Sequence, residues 1–257
     1  MKRIIKVVLA ALMTVALAAC GSSKSDMQTI KEKGKLVVGI TDFAPMDYKD
    51  NKGNWIGFDA DMATLFAKKL GVDVEFVEIE WDNKILELDN GSIDCVWNGM
   101  TLTDEVASSM AVSNKYYNNS QVVIVKASVA DKYNTVDDIK GLTFAVESGS
   151  AGEGAVKDAG YKYNAVTSQA NALMEVKSGN SDAAVIDYLM AKAMTGKGTS
   201  YADLTYTVSL VDEQYVVGFR KDSDLADELN NFFKDNYETM QKTAEKYDIA
   251  DALIAQN

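Results

Sequence analysis

The chain of 257 residues is acidic, with 26 lysines and arginines against 38 aspartates and glutamates, a formal charge of −12, and no histidine. Without histidine there can be no Ser-His-Asp or Cys-His catalytic site and no histidine-ligated metal. The negative balance argues against nucleic acid and against adhesion to anionic head groups.

At the amino terminus Lys2, Arg3 and Lys6 precede a mainly apolar run from Val7 to Ala19. That run is too short to span a bilayer comfortably, and residues 1–19 read as a signal peptide. Leu17-Ala18-Ala19-Cys20, followed by Gly-Ser-Ser-Lys-Ser, resembles a bacterial lipoprotein cleavage site and flexible tether. The alternative is an ordinary secretory signal with Cys20 incidental. The resemblance implies a mature chain that starts at Cys20, carries lipid on that cysteine, uses residues 20–33 as a tether, and sits at the extracytoplasmic face of the cell membrane. Cleavage would also remove three basic side chains and make the mature chain more acidic. Cys95, in the largely apolar run Ile93 to Trp97, then has no partner and reads as a buried strand residue rather than a nucleophile.

From Lys35 onward about 220 residues remain, enough for one large domain or two lobes. Lys35 to Ile40 reads as a strand, followed by the turn Phe43-Ala-Pro-Met-Asp-Tyr48. Next comes a helix with Asp59 and Asp61 in its first turn, where the positive dipole end favours them, and with Lys68 and Lys69 before a Gly71 stop. Its core-facing stripe is Phe58, Met62, Leu65 and Phe66. Val72 to Ile79 largely alternates apolar and acidic residues, as a half-exposed strand does.

Four segments of this region together carry a resemblance: Gly-Phe-Asp-Ala-Asp-Met-Ala at Gly57 to Ala63, Leu70-Gly71, Gly91-Ser-Ile-Asp94, and Asn-Gly-Met-Thr-Leu-Thr at Asn98 to Thr103. They resemble the polar amino acid family of ABC-transporter solute-binding proteins. The remaining elements are consistent with it. Gln121 to Lys126 and Tyr215 to Phe219 are apolar runs of strand length, suited to two crossings between lobes. Between them lie a strand Thr143 to Val146, a helix from about Ala151, a strand Tyr163 to Val166, a helix Ser168 to Lys177 and a strand Asp182 to Ile186. Alternating strands and helices in both segments give two α/β lobes with mainly parallel sheets. A long helix follows, with Leu225, Leu229, Phe232, Phe233 and Met240 on one face. The resemblance implies a two-lobed periplasmic-binding-protein-like type II fold with the crossing strands as hinge. Lobe 1 would comprise residues 34–122 and 215–257, and lobe 2 residues 123–214.

A cleft between such lobes takes a small molecule, because the carboxyl ends of both sheets face it. Asp42 and Phe43 follow the first strand, and the resemblance implies that the aromatic covers the ligand; Phe43 could equally be a core aromatic. Trp81 would supply the second face of an aromatic sandwich. Gly99, Met100 and Thr101 would offer backbone groups and a hydroxyl, unless they form a plain turn that Thr103 caps. From lobe 2, Glu147-Ser-Gly-Ser-Ala151 ends a strand and opens a helix, aiming amides at an anion. It resembles the family's Ser-Gly-Thr turn, with Ser150 at the threonine position and Ala151 next to it. Asp187 stands where the family places an aspartate against the ligand's α-ammonium group; its other reading is an N-cap for the helix Tyr188 to Met194.

One departure bears on the ligand. The family places an arginine three positions after the second threonine of Thr-x-Thr, to clamp the α-carboxylate; here that position is Val106. The mature chain's one arginine, Arg220, lies at the end of a crossing strand. Acidic Glu147, Asp42 and Asp82 near the presumed cleft favour a cationic or amine-bearing ligand. The expectation is therefore an extracytoplasmic binding component of an amino acid ABC importer, a monomer that closes on a polar or basic amino acid and hands it to permease subunits, without cofactor, metal or catalysis. The alternatives are a ligand-sensing lipoprotein and a dehydratase on the same fold.

Overall fold

The computed structural model describes residues 24–256, so the signal peptide and the Cys20 lipidation expected from the sequence lie outside the described residues. The chain begins with helix α1 (Asp26–Lys33) and strand β1 (Lys35–Ile40), passes through the short hairpin β2 (Tyr48–Lys49) and β3 (Trp55–Ile56), and enters helix α2 (Phe58–Leu70). Strand β4 (Asp73–Glu78), a 3-10 turn at Trp81–Asn83, helix α3 (Lys84–Asp89), strand β5 (Cys95–Thr101), helix α4 (Asp104–Ser109) and strand β6 (Ala111–Val112) follow. The chain then crosses on β7 (Tyr117–Lys126) and builds β8 (Thr143–Glu147), α5 (Ala151–Asp158), β9 (Lys162–Val166), α6 (Gln169–Ser178), β10 (Ala183–Asp187) and α7 (Tyr188–Met194). It returns on β11 (Leu204–Phe219) to helices α8 (Leu225–Asp235) and α9 (Tyr237–Lys246).

The main sheet has nine strands in the order β4-β1-β5-β11-β7-β10-β8-β9, with β6 also paired to β11. β1 is parallel to β4 and β5, and β8 is parallel to β9 and β10. The joins between these parallel groups are antiparallel, β11 to β5 and to β7, and β7 to β10. β1 and β10 are buried along nearly their whole length, which is why they read as continuous apolar runs rather than alternating ones. β11 joins the halves: its first part pairs with β7 up to Tyr215↔Tyr117, and from Tyr215 it pairs with β5. One smaller core cluster, around Val37, Val96 and Val216, belongs to the first lobe, and another, around Val123, Phe144 and Val185, to the second. The lobe boundaries expected at 122/123 and 214/215 fall inside β7 and β11.

Three local expectations are corrected. Both crossing strands are longer than the apolar runs that mark them, because β7 starts at Tyr117 and β11 at Leu204 in polar, alternating sequence. The expected long carboxyl-terminal helix is broken at Asn236, which leaves helical geometry (φ −117°, ψ 21°) and turns its side-chain amide back onto the Phe232 carbonyl at 2.9 Å. The two pieces still cover lobe 1, with Phe232 against Phe66 at 5.3 Å and Phe233 against Trp97 at 5.7 Å between ring centroids. Finally, residues 26–33 are not tether. They form α1, capped by Ser25, with Ile30 fully buried and Asp26 paired to Arg220 at 3.0 Å. The sequence DMQTIKEK carries a single buried apolar residue, so periodicity gave no sign of the packing.

Candidate functional site

Strand ends and the turns after them line one cavity of about 510 Å³. From lobe 1 it receives Phe43, Trp81 and Lys84, the run from Asn98 to Val106, and from lobe 2 Glu147, Gly149, Ser150, Ala151, Gln169 and Asp187; Gln121 and Glu213 come from the crossing strands. Of the residues expected there, Phe43, Trp81, Gly99, Met100, Thr101, Ser150, Ala151 and Asp187 are brought together, and Asp42 is not. Asp42 is exposed, with Glu78 and Lys49 as its charged neighbours, because the tight turn in which Phe43 and Asp47 exchange backbone bonds swings Phe43 inward and leaves its predecessor outside. Asp82 likewise is exposed and does not line the cavity.

Gly99 contributes less than expected, because its amide is committed to the fold. It donates to Asp59 Oδ2 at 2.7 Å, and Trp97 Nε1 and Tyr116 Oη donate to the same carboxylate at 3.1 and 2.8 Å. Asp59, fully buried, therefore does more than complement a helix dipole; it anchors the start of the Asn98–Thr103 segment, and burial pushes its carboxyl up to about 7. Gly99 itself is required, since at φ +54° a Cβ would meet the Phe43 ring at 2.6 Å. Thr101 Oγ1 donates to Glu213 Oε2 at 2.8 Å, and Thr103 caps α4 by accepting from the Val106 amide at 3.2 Å. Met100 is 1% exposed, paired in register with Val216.

Across the cleft, Ser150 caps α5 through the Glu153 amide at 3.1 Å. Asp187 ends β10 and precedes α7, but its carboxylate does not cap that helix. It accepts from Asn119 Nδ2 at 2.8 Å, Gln169 Nε2 at 2.6 Å and the Tyr215 hydroxyl. Asn119 Nδ2 also donates to Glu213 Oε1 at 2.6 Å, and Gln121 Nε2 reaches the same oxygen at 3.0 Å. Two buried carboxylates thus share one amide. Burial, and then the Asp187 charge, hold the Glu213 carboxyl well above the ordinary range; the same two causes push Glu147 up to about 8. A cation entering this end would relieve the repulsion among Asp187, Glu213 and Glu147.

No local pattern in the sequence marks Glu213, Gln121, Gln169 or Lys84 as site residues. Glu213 sits in the polar part of β11, outside the apolar run that marks the strand, and Gln121 reads as the first residue of an apolar run. Lys84 lies in a stretch whose only aromatic signal was Trp81. Its ammonium sits 5.1 Å from the Trp81 ring centroid and donates to Gly149 O, in the other lobe, at 2.8 Å. Among the described residues no group of three or more Cys, Asp or Glu is arranged to hold a metal ion.

Two α/β lobes joined by crossing strands around a carboxylate-rich cleft define a binding protein of the periplasmic type. The sequence agrees: residues 36–249 match the bacterial extracellular solute-binding proteins, family 3, and the chain belongs to that family. It is similar to the arginine-binding extracellular protein ArtP of Bacillus subtilis, at 31% identity over 91% of this chain and 92% of ArtP. Among solved structures it is similar to a mutant of ArgBP from T. maritima (32% identity, TM-score 0.80, 86% of this chain and 98% of that one). It is also similar to an ABC uptake transporter substrate-binding protein from Streptococcus pneumoniae with bound histidine (28% identity, TM-score 0.81, 91% of this chain and all of that one). These are binding proteins, and a dehydratase activity is not favoured.

Proposed function

We propose that this protein binds a basic amino acid and presents it to the permease of an ABC importer. The observation that carries the reading is the group of Asp187, Glu213 and Glu147 on one cavity wall, all at most 7% exposed. Burying several carboxylates together is unfavourable unless a cation compensates them. Asp187 would take the α-ammonium group, and the neighbouring acids favour a second cationic or polar group. Phe43 and Trp81 would supply apolar walls. Relatives named for binding arginine or histidine support the same class, while others are named for L-cystine or glutamine.

Delivery would follow lobe closure, with contacts from both lobes shifting an open ensemble toward a closed one. The lobes would divide at 122/123 and 214/215, the protein would act as a monomer, and lipid on Cys20 would hold it at the extracytoplasmic face. Among the described residues no helix is long and apolar enough to cross a membrane. A thermal-shift screen of the common amino acids and amines tests the substrate class. A ligand at a hundred times its dissociation constant adds about 2.7 kcal/mol to stability. Arginine, lysine, ornithine or histidine should give the largest shift, and a larger shift with glutamate or aspartate would reject the class.

A further inference from the structure

The cleft has a cation of its own whose role none of the contacts above explains. Lys84 is 4% exposed, and among the described residues it has no carboxylate within salt-bridge reach. An ammonium carries three donors. Here one goes to Gly149 O at 2.8 Å, one is spent weakly on Trp81 O at 3.4 Å, and one has no partner among the described residues. Among the described residues no other lysine or arginine lines the cavity. Trp81, over whose ring the ammonium sits, packs in the same apolar cluster as Val106, the position at which the resembling family carries its carboxylate-clamping arginine. Ser150 and the first turn of α5 lie next to Gly149, so the ammonium and the helix amides border the same part of the cavity.

We propose that Lys84 replaces the missing arginine: it is the specificity-determining residue that holds the α-carboxylate of the bound amino acid, and it reaches that carboxylate from a different element, the start of α3 rather than of α4. The assignment rests on the basic amino acid reading. Burial pulls the proton affinity of this ammonium down, the carboxylates of Glu105, Asp82, Glu147 and Glu153 around it offset part of that, and a ligand carboxylate in direct contact would favour the charged form further. A lysine is a single mobile point charge where arginine is a rigid fork, so the site should accept carboxylates in more than one orientation.

The test compares amino acids with the amines that lack only the carboxylate, by calorimetry on the purified protein: L-arginine with agmatine, L-lysine with cadaverine, L-histidine with histamine. The unsubstituted protein should prefer the amino acid. Lys84→Met should weaken the amino acid relative to its amine by roughly 10- to 100-fold, the range of one charge-assisted hydrogen bond, whatever common change the loss of the Gly149 contact brings to both. Lys84→Arg should keep the preference, and adding Val106→Arg to Lys84→Met should restore it; Lys84→Gln serves if the methionine variant does not fold. Equal loss for acid and amine would make Lys84 only a tie between the lobes and overturn the proposal, as would an undiminished preference in Lys84→Met. Amines binding as well as amino acids to the unsubstituted protein would overturn it too, while leaving an amine-binding cleft in place. Silence with every probe would remove both the basic amino acid reading and the role of Lys84.

Discussion

Asn119, not Asp187, caps helix α7: Asn119 Oδ1 accepts from the Leu189 amide at 3.2 Å, while its Nδ2 donates to Asp187 Oδ1 at 2.8 Å. One side chain from a crossing strand thus closes the helix end and fixes the carboxylate at the cleft. Asp187 is left to face the cavity with its oxygens held by three donors, and an acceptor-only group so held is preorganised for a cation.

Asp187→Asn should therefore weaken binding of a basic amino acid by about 2 to 5 kcal/mol, much of it the cost of leaving the ligand's ammonium unpaired in a closed cleft. Its effect on unfolding should stay near 1 kcal/mol, since one amide replaces one acceptor. Asn119→Ala should lower stability more, because the α7 cap is lost together with donors to two buried carboxylates. Calorimetry and thermal melts on both variants separate the effects. Unchanged affinity in Asp187→Asn would sink the ammonium assignment.

The Glu147 carboxyl, raised from 4.5 to about 8 chiefly by burial and next by Asp187, gives a pH dependence of defined sign. Between those values the folded chain holds a proton that the unfolded chain has lost. The contribution of this group to stability is thus full below about pH 4.5 and falls as pH rises through about 8. A cationic ligand favours the ionised form, so its affinity should increase between about pH 6 and 8, with a proton released on binding. Glu147→Gln should flatten the curve. The charges around Glu147 are Asp187, Lys84 and Glu80, and calorimetry in buffers of different ionisation enthalpy counts the proton directly. No proton release in the unsubstituted protein would take Glu147 out of the binding reaction.

Gly149 marks where the lobes touch. It has φ +71°, and a Cβ there would lie 2.8 Å from Asp82 Cα and 2.7 Å from Asp82 Oδ1 on the opposite lobe. Gly149→Ala should cost about 1 kcal/mol in the left-handed backbone and, in addition, hold the lobes apart. Small-angle scattering should find the variant more open at saturating L-arginine, with affinity lowered at least about tenfold by the reduced closed population. A variant that closes normally would show that the contact is dispensable.

The sequence carried the fold where burial is continuous or strictly periodic. β1, β10, α2 and α6 were legible because parallel strands and amphipathic helices leave unambiguous patterns. It carried less of the site, whose side chains take their roles from partners distant in sequence. Asp187 reads locally as a helix cap, and only the pairing of β7 with β10 brings Asn119 up to displace it from that role. Glu213 depends on the polar half of β11 lying beside β7, a register that no local pattern specifies. Lys84 reads as a surface lysine on a short helix; its burial follows from lobe 2 lying over it.

Lipid attachment at Cys20 would make membrane retention separable from binding. Cys20→Ser should release the protein into the medium or leave the signal uncleaved, measured by fractionation, with L-arginine affinity unchanged. Retention of cleaved Cys20→Ser protein on the membrane would reject the lipid anchor.

Helix α1 sets where the folded domain begins. A chain starting at Ser25 keeps the α1 cap, the buried Ile30 and the Asp26–Arg220 pair, and should match the longer protein in both stability and affinity. A chain starting at Lys35 loses all of them. It also leaves Arg220, whose guanidinium bridges Asp26, Asp94 and the Ile93 carbonyl, without one of its two carboxylates. Uncovering the Ile30 pocket alone should cost about 2 to 4 kcal/mol, and the exposed pair adds little because partly solvated ion pairs contribute less than about 1 kcal/mol. Since none of these residues lines the cleft, the shortened chain should bind with the same affinity at temperatures where it is folded. Denaturant unfolding read beside calorimetry decides the matter: equal stability of the two chains would return residues 26–33 to the tether, and a selective loss of affinity would show that α1 acts on the binding site.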